Sequence, residues 1–278
     1  MSAETTRHGE REVRALVITG FGLNCERETA RAFELAGARA EQVHLNDILA
    51  GLRRLDEFHI LALIGGFSFG DHLGAGAVFA NRLRARLRSQ LEEFIGSGRL
   101  IIGICNGFQT LARLGLVPAL DGRLFEPQVA LALNDRGVFR DAWVTVRAEK
   151  NCPCVFTRGV DVLSLPIRHG EGRFVARDRR TLERVEEEGL AALRYVDPQT
   201  GEPVQEFPHN PNGSWNAIAG VCDPTGRVFG MMPHPEAYLT PWNHPLWTRQ
   251  RAEGALPAEG GGLAIFRNAV AFAREHLL

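Results

Sequence analysis

At 278 residues the chain exceeds the common size of one domain, yet it fits a single large α/β domain or a domain with a sizeable insertion. With 45% apolar and 23% charged residues and a formal net charge of −1, it has no general attraction for nucleic acid or an anionic membrane. No apolar run approaches the ~20 residues of a membrane span. The opening MSAETTRHGEREVR lacks the apolar core of a secretory signal, and five sparse cysteines argue against a secreted disulfide framework, so the expected location is cytoplasmic. Lys150 is the only lysine among 32 basic residues, and no G-x-x-x-x-G-K-[ST] exists, which excludes a P-loop ATPase.

Residues 1 to 12 are polar and read as a loose tail preceding one domain over residues 13 to 278. VRALVIT is a β-branched strand that stops at Gly20-Phe21-Gly22, and ERETARAFELAG follows as a helix with Ala30, Phe33, Leu35 and Ala36 on its apolar stripe. AEQVHLN is a second strand, and HILALIGGFSFGD is a buried strand ending in a glycine-rich loop. In NRLRARLRSQLEEFIGSG, Leu83, Leu87, Leu91, Phe94 and Ile95 recur at helical spacing, with arginines on a solvated face. RLIIGIC runs straight into the helix NGFQTLARLG, closed by Gly115. Alternating βα units with strands apolar on both sides predict a parallel, helix-covered sheet.

After Pro118, FEPQVALALN, AWVTVRAE, VLSLPIRHGEGRFVA and LAALRYVD predict an antiparallel, β-rich portion. AIAGVCD, a turn at Pro224-Thr225-Gly226 and RVFGMMPHPEA supply two strands to complete the first sheet. TPWNHPLWTRQRAEGALPAEGGG, within residues 240 to 262, is a surface excursion, and GLAIFRNAVAFAREHL is a terminal helix using Leu263, Phe266, Val270 and Ala271.

Three segments carry chemistry. Gly103-Ile104-Cys105-Asn106-Gly107 falls at a strand-to-helix junction, where a sharp turn lifts a nucleophile above the sheet and the helix amino terminus favours a thiolate. The alternative, a buried thiol acting as a small hydrophobe, is the commoner fate of a free cysteine, but G-x-C-x-G at such a junction is a specific arrangement. Met232-Pro233-His234-Pro235-Glu236 offers the base and its orienting acid: prolines forbid helix, and in an extended chain residues two apart face alike, so Glu236 reaches one ring nitrogen of His234 while the other faces Cys105. A merely exposed turn histidine is the bland reading. Gly65-Gly66-Phe67-Ser68 offers backbone N–H groups that join the amide of Asn106 around an oxyanion, or is a simple βα turn, with equal weight from the segment alone. Cys152-Pro153-Cys154 lacks a second pair at metal spacing, so no metal is expected, and Cys25 reads as a structural or incidental thiol, although its place before a helix could activate it mildly.

GICNGFQTL, GGFSFGDHLGAGA, PIRHGEGRF, NPNGS and GMMPHPE, in this order, resemble the glutamine amidotransferase subunits of phosphoribosylformylglycinamidine synthase, triad-type class I glutaminases of purine biosynthesis. The resemblance spans about Val13 to Leu278 and implies a flavodoxin-like, doubly wound, mostly parallel sheet with an added β-rich antiparallel portion. It implies Cys105 as the nucleophile that forms a γ-glutamyl thioester, His234 as base, Glu236 as its partner, Gly66 at the oxyanion hole and Gln109 in the glutamine pocket. His169 and Glu171, in His-Gly-Glu-Gly, border the site or a partner interface, or form only a strand-to-strand turn. The substrate implied is L-glutamine and the partner a large formylglycinamidine synthetase subunit with a small accessory subunit. ATP and Mg belong to that partner, with no cofactor in this chain. Two departures are visible: Ala237 replaces the arginine that commonly follows H-P-E, and Thr240 to Gly262 is longer than typical. The competing readings are a stand-alone cysteine hydrolase or peptidase and a non-catalytic scaffold of a synthetase.

Overall fold

The computed structural model describes residues 12–278, so the expected tail lies almost wholly outside the described residues. The parallel half is built from β1 (Arg14–Thr19), α1 (Glu26–Leu35), β2 (Arg39–His44), the short α2 (Leu45–Leu49), β3 (Ile60–Leu63), α3 (Ala77–Gly96), β4 (Leu100–Ile104) and α4 (Asn106–Leu114). The inserted half contributes β5 (Val129–Leu133), β6 (Arg140–Ala148), β7 (Val162–His169), β8 (Glu171–Ala176), α5 (Arg179–Glu187) and β9 (Ala191–Tyr195). The chain then returns through β10 (Ile218–Cys222), β11 (Val228–Met231), α6 (Trp247–Ala252) and α7 (Leu263–His276).

One nine-stranded sheet runs in the order β2-β1-β3-β4-β11-β10-β9-β6-β7. The first five are parallel, with β3 and β11 flanking β4, and every residue of these three strands is buried. Pairing turns antiparallel from β10 onward. The β-rich portion expected from the sequence is therefore largely a continuation of the same sheet, and β5 with β8 alone forms a separate ribbon. The doubly wound, mostly parallel α/β class is as expected. Helix α1 packs on α7, with Phe33 and Phe266 edge to face at 5.0 Å, and α3 packs on α4.

Local details depart from the sequence reading where tertiary packing decides. Leu35 and Ala271 lie exposed, and Ala32 and Ala273 take their places in the core, since the helices present a slightly rotated stripe to the sheet. Helix α3 begins four residues before the expected start. Arg82, Arg86 and Arg88 are exposed as expected, but Arg84 turns inward to donate to the carbonyls of Arg113 (2.6 Å) and Leu114 (3.2 Å), closing the end of α4. Helix α5, which the sequence reading did not anticipate, starts at an Asp178 cap that accepts from the Thr181 N–H at 2.7 Å. The excursion after Thr240 is pinned at its base, where Gly260 and Gly262 donate to the carbonyls of Leu239 and Tyr238 at 3.0 Å, and the rings of Tyr238 and His244 pack on Trp143.

Helix α4 approaches β3 so closely that a Cβ on Gly107 would overlap the backbone carbonyl of Leu63. Backbone cannot rotate aside, so Gly107→Ala is expected to destabilise the fold by about 3 kcal/mol. By contrast, Gly96→Ala places its methyl in open space and is expected to be neutral or stabilising by up to about 1 kcal/mol. Urea unfolding of the two variants compares them directly.

Candidate active site

The site lies at the carboxyl ends of β3, β4 and β11, where Gly66, Cys105 and His234 follow their strands within three residues. Cys105 occupies the turn between β4 and α4 with φ 52° and ψ −106°, a strained conformation for a residue with a side chain. Its amide donates to the Met231 carbonyl at 2.8 Å, tying the turn to β11, and its Sγ lies 3.6 Å from the Arg168 carbonyl. The thiol is thus held on a strained elbow, as expected from G-x-C-x-G.

His234 is buried, and its amide donates to the Pro166 carbonyl at 2.8 Å. Its Nδ1–H donates to Glu236 Oε1 at 2.6 Å, and Nε2 has no partner. Burial alone would lower the imidazole pKa, but the Glu236 carboxylate and Cys105 outweigh it and raise it well above its ordinary value. The sequence reading placed His234 and Glu236 on an extended chain. Instead, Pro235–Ala237 forms one 3₁₀ turn with Pro235 at its first position, where a missing N–H costs nothing, and that turn swings Glu236 back onto the ring.

Gly66 has φ 134°, and a Cβ there would lie 2.6 Å from the Gly22 carbonyl oxygen and 2.7 Å from Leu23 Cα, so only glycine fits. The carbonyl of Gly65 and the N–H of Phe67 are used by Asn24 and Gly22, whereas the Gly66 N–H has no backbone acceptor among the described residues. The Asn106 N–H, at the first position of α4, likewise has no carbonyl four residues earlier in the helix. The Asn106 side chain works inward: Oδ1 accepts from the Ser68 N–H (3.3 Å), and Nδ2 donates to Asp71 Oδ1 (3.1 Å) and Gln109 Oε1 (2.9 Å). Gln109 Nε2 donates to the Glu171 carbonyl, so its amide braces the pocket wall. Burial raises the pKa of Asp71 above the usual carboxylate range.

Two adjoining cavities meet at a wall of Gly66, Phe67, Cys105, Phe139 and Arg168. One, of about 190 Å³, holds Asn24, Cys25, His234, Glu236 and Ala237; the other, of about 170 Å³, holds Asp71, Gln109, His169 and Glu171. The residues singled out from the sequence are therefore brought together. His-Gly-Glu-Gly is both the turn between β7 and β8 and a cavity border. Glu171 Oε2 accepts from the Ala75 N–H at 3.2 Å, fastening that turn to the loop before α3. Asn210-Pro211-Asn212-Gly213-Ser214 is a turn whose Asn212 donates to the Gly172 carbonyl (2.9 Å) and whose Ser214 Oγ accepts from Phe174 N–H (3.0 Å), anchoring β8 from behind.

Sequence reading passed over Arg168, which faces both cavities and follows the apolar strand positions so regularly that nothing local marks it. It also undervalued Cys25, which lines the first cavity with Sγ 4.0 Å from His234 Nδ1. Burial raises the Cys25 thiol pKa, contrary to the mild activation its position suggested. Away from the site, Cys152 Sγ lies 3.5 Å from Cys222 Sγ, a pairing that C-x-C spacing does not reveal.

A family model described as the CobB/CobQ-like glutamine amidotransferase domain matches residues 12–273. The chain belongs to this glutamine amidotransferase family. Within it, the chain is 41% identical over 265 residues to the phosphoribosylformylglycinamidine synthase subunit PurQ of Methanococcus maripaludis, covering 93% of this chain and 97% of that protein. It is 42% identical to the protein of the same name from Dehalococcoides mccartyi, covering 95% and 99% of the two chains. A chain in the structure of PurLQS from Thermotoga maritima superposes with a TM-score of 0.67 at 31% identity, over 94% of this chain and 99% of that one.

His169 Nδ1 pairs with Asn134 Oδ1 at 3.1 Å; since Asn134 Nδ2 donates to two carbonyls, the ring nitrogen is the donor and Nε2 is left as an unpartnered acceptor. Burial, reinforced by the charge on His234, pushes its pKa down to about 3. The folded chain then refuses a proton that the unfolded chain accepts below its ordinary value, so this group lowers stability as pH falls from about 6.5 toward 3. Relative to His169→Gln, wild type is expected to lose roughly 2 kcal/mol between pH 7 and pH 5, read from urea unfolding at both values.

Proposed function

We propose that this chain is the glutaminase subunit of a phosphoribosylformylglycinamidine synthase, hydrolysing L-glutamine and passing ammonia to a synthetase that converts formylglycinamide ribonucleotide to the amidine with ATP. The observation that supports this chemistry is one cavity lined by Cys105 on its strained elbow, by His234 with an unpartnered Nε2, and by Glu236 at 2.6 Å from His234 Nδ1. Cys105 Sγ attacks the glutamine carboxamide carbon while the N–H groups of Gly66 and Asn106 receive the oxyanion. His234, protonated after taking the thiol proton, returns it to the leaving nitrogen, and ammonia departs from a γ-glutamyl thioester. Water, deprotonated by the same Nε2, then cleaves the thioester to glutamate. Glu236 keeps the ring oriented and stabilises the imidazolium.

Arg168 is suited to the substrate α-carboxylate, and the neutral His169 Nε2 offers an acceptor to a substrate N–H. Gln109, with both amide ends engaged, shapes the pocket through the Glu171 backbone. ATP and its Mg are used by the synthetase subunit, a reading supported by the absence of a P-loop and by a single lysine. The large synthetase subunit and a small accessory subunit are the partners, and the cytoplasm, where such a pathway operates, is the location. Among the described residues no helix is long and apolar enough to cross a membrane.

Cys105→Ser is expected to lower glutamine turnover by roughly 10⁴-fold or more while leaving the fold intact. With the synthetase, the same variant should still support amidine formation from added ammonia. Retained glutaminase activity would remove Cys105 from the nucleophile's role. His234→Ala is expected to match that loss, Glu236→Gln to cost less, and the Cys105/His234 double variant to be no worse than either alone.

The isolated chain is expected to hydrolyse glutamine slowly and to be stimulated when synthetase, ribonucleotide substrate and nucleotide are added, through ordering of the loop around Gly66. Steady-state glutamate release with and without the partner measures this. Full activity in isolation, unchanged by the partner, would favour a stand-alone hydrolase.

A further inference from the structure

Cys25 is a nucleophilic side chain in the active-site cavity that the relay above leaves without work. It precedes α1, at the opposite end of the sequence from His234, yet its Sγ, a ring nitrogen of His234 and a carboxylate oxygen of Glu236 all lie within 4.8 Å of one another. Two further atoms at this point are buried without partners, Glu236 Oε2 and His234 Nε2. One thiol, one imidazole and one carboxylate constitute a ligand set for a thiophilic divalent cation with one position left open. Ligand atoms around tetrahedral zinc stand roughly 3.5 Å apart, so the 4.0 Å between Cys25 Sγ and His234 Nδ1 requires little movement. The thiolate selects against Mg²⁺ and Ca²⁺, which take oxygen ligands.

We propose that Cys25, His234 and Glu236 form an inhibitory site for Zn²⁺ inside the glutaminase cavity. Zinc bonds to Cys25 Sγ, His234 Nδ1 and a Glu236 carboxylate oxygen replace the Nδ1–H to Oε1 hydrogen bond. The Cys25 thiol releases its proton to solvent, the single ring proton of His234 moves from Nδ1 to Nε2, and no electrons are transferred. With the metal on Nδ1, that ring proton is fixed on Nε2, and the imidazole no longer accepts a proton from Cys105. Inhibition rests on the reading of His234 as the base; binding of the metal does not.

Binding is therefore tested in Cys105→Ser, stripped with chelator and titrated with zinc chloride by calorimetry, with Co²⁺ as the spectroscopic substitute. One site and a thiolate-to-cobalt charge-transfer band are expected. Adding Cys25→Ser should abolish the band and weaken zinc binding roughly 100-fold or more, and His234→Gln should weaken it comparably, whereas adding Cys152→Ser should change neither. Absence of binding, or a band kept on Cys25→Ser and lost on Cys152→Ser, would overturn the site. In wild type, zinc should inhibit glutamine hydrolysis and chelator should restore it. Binding at Cys25 with undiminished turnover would overturn the inhibitory half alone.

Discussion

Helix α4 lies so near β3 that no atom beyond hydrogen fits at Gly107, and this contact with the Leu63 carbonyl sets the position of everything at the site. The helix cannot pull back without losing its buried face, in which Phe108, Leu111 and Ala112 are fully enclosed. Its first turn is therefore driven against the loop that carries Gly66, and the residue connecting it to β4 is left in a strained backbone conformation. Strain at Cys105 is sustained because both flanking elements are held by central strands of a buried parallel sheet. Cys105 is placed by this packing together with the bond from its amide to the Met231 carbonyl.

Asn106 turns this placement into order. A single buried amide accepts from the Ser68 N–H and donates to Asp71 and to Gln109, and Gln109 continues to the backbone of Glu171. Three separate stretches, the loop after β3, the start of α4 and the turn between β7 and β8, are thereby fixed to one another. Each bond is modest by itself, but those from Asn106 to Ser68 and Gln109 are buried and the other two partly so, and an unpaired buried member would carry a desolvation penalty. His169, held neutral by the same enclosure, contributes an acceptor to the cavity at the cost of acid stability.

Much of this was legible in the sequence because the informative features are local. The strand β4 is a continuous apolar run, Gly115 stops the next helix, and G-x-C-x-G marks the sharp turn between β4 and α4. H-P-E placed an imidazole and a carboxylate side by side, although the route was a 3₁₀ turn and not an extended strand. What stayed hidden depends on long-range geometry. Nothing near Cys25 announces that a histidine more than two hundred positions later comes within 4.0 Å of it. Arg168 sits in a strand whose alternation explains it fully as an outward residue. The merging of the antiparallel strands into the main sheet turns on β10 choosing β9 as a neighbour, a pairing set by the fold of the whole chain.

The register that joins Ile104 to Met231 has a consequence for a chain made from its amino end. A ribosome releases the strand that leads to Cys105 long before the strand that leads to His234, and all of the β5–β9 region emerges in between. The central sheet therefore waits with one flank of β4 open until synthesis is nearly finished, and loop closure of this length is slow. During that interval Cys105 lacks the His234 imidazole. The two residues meet only in a late step, when β11 docks.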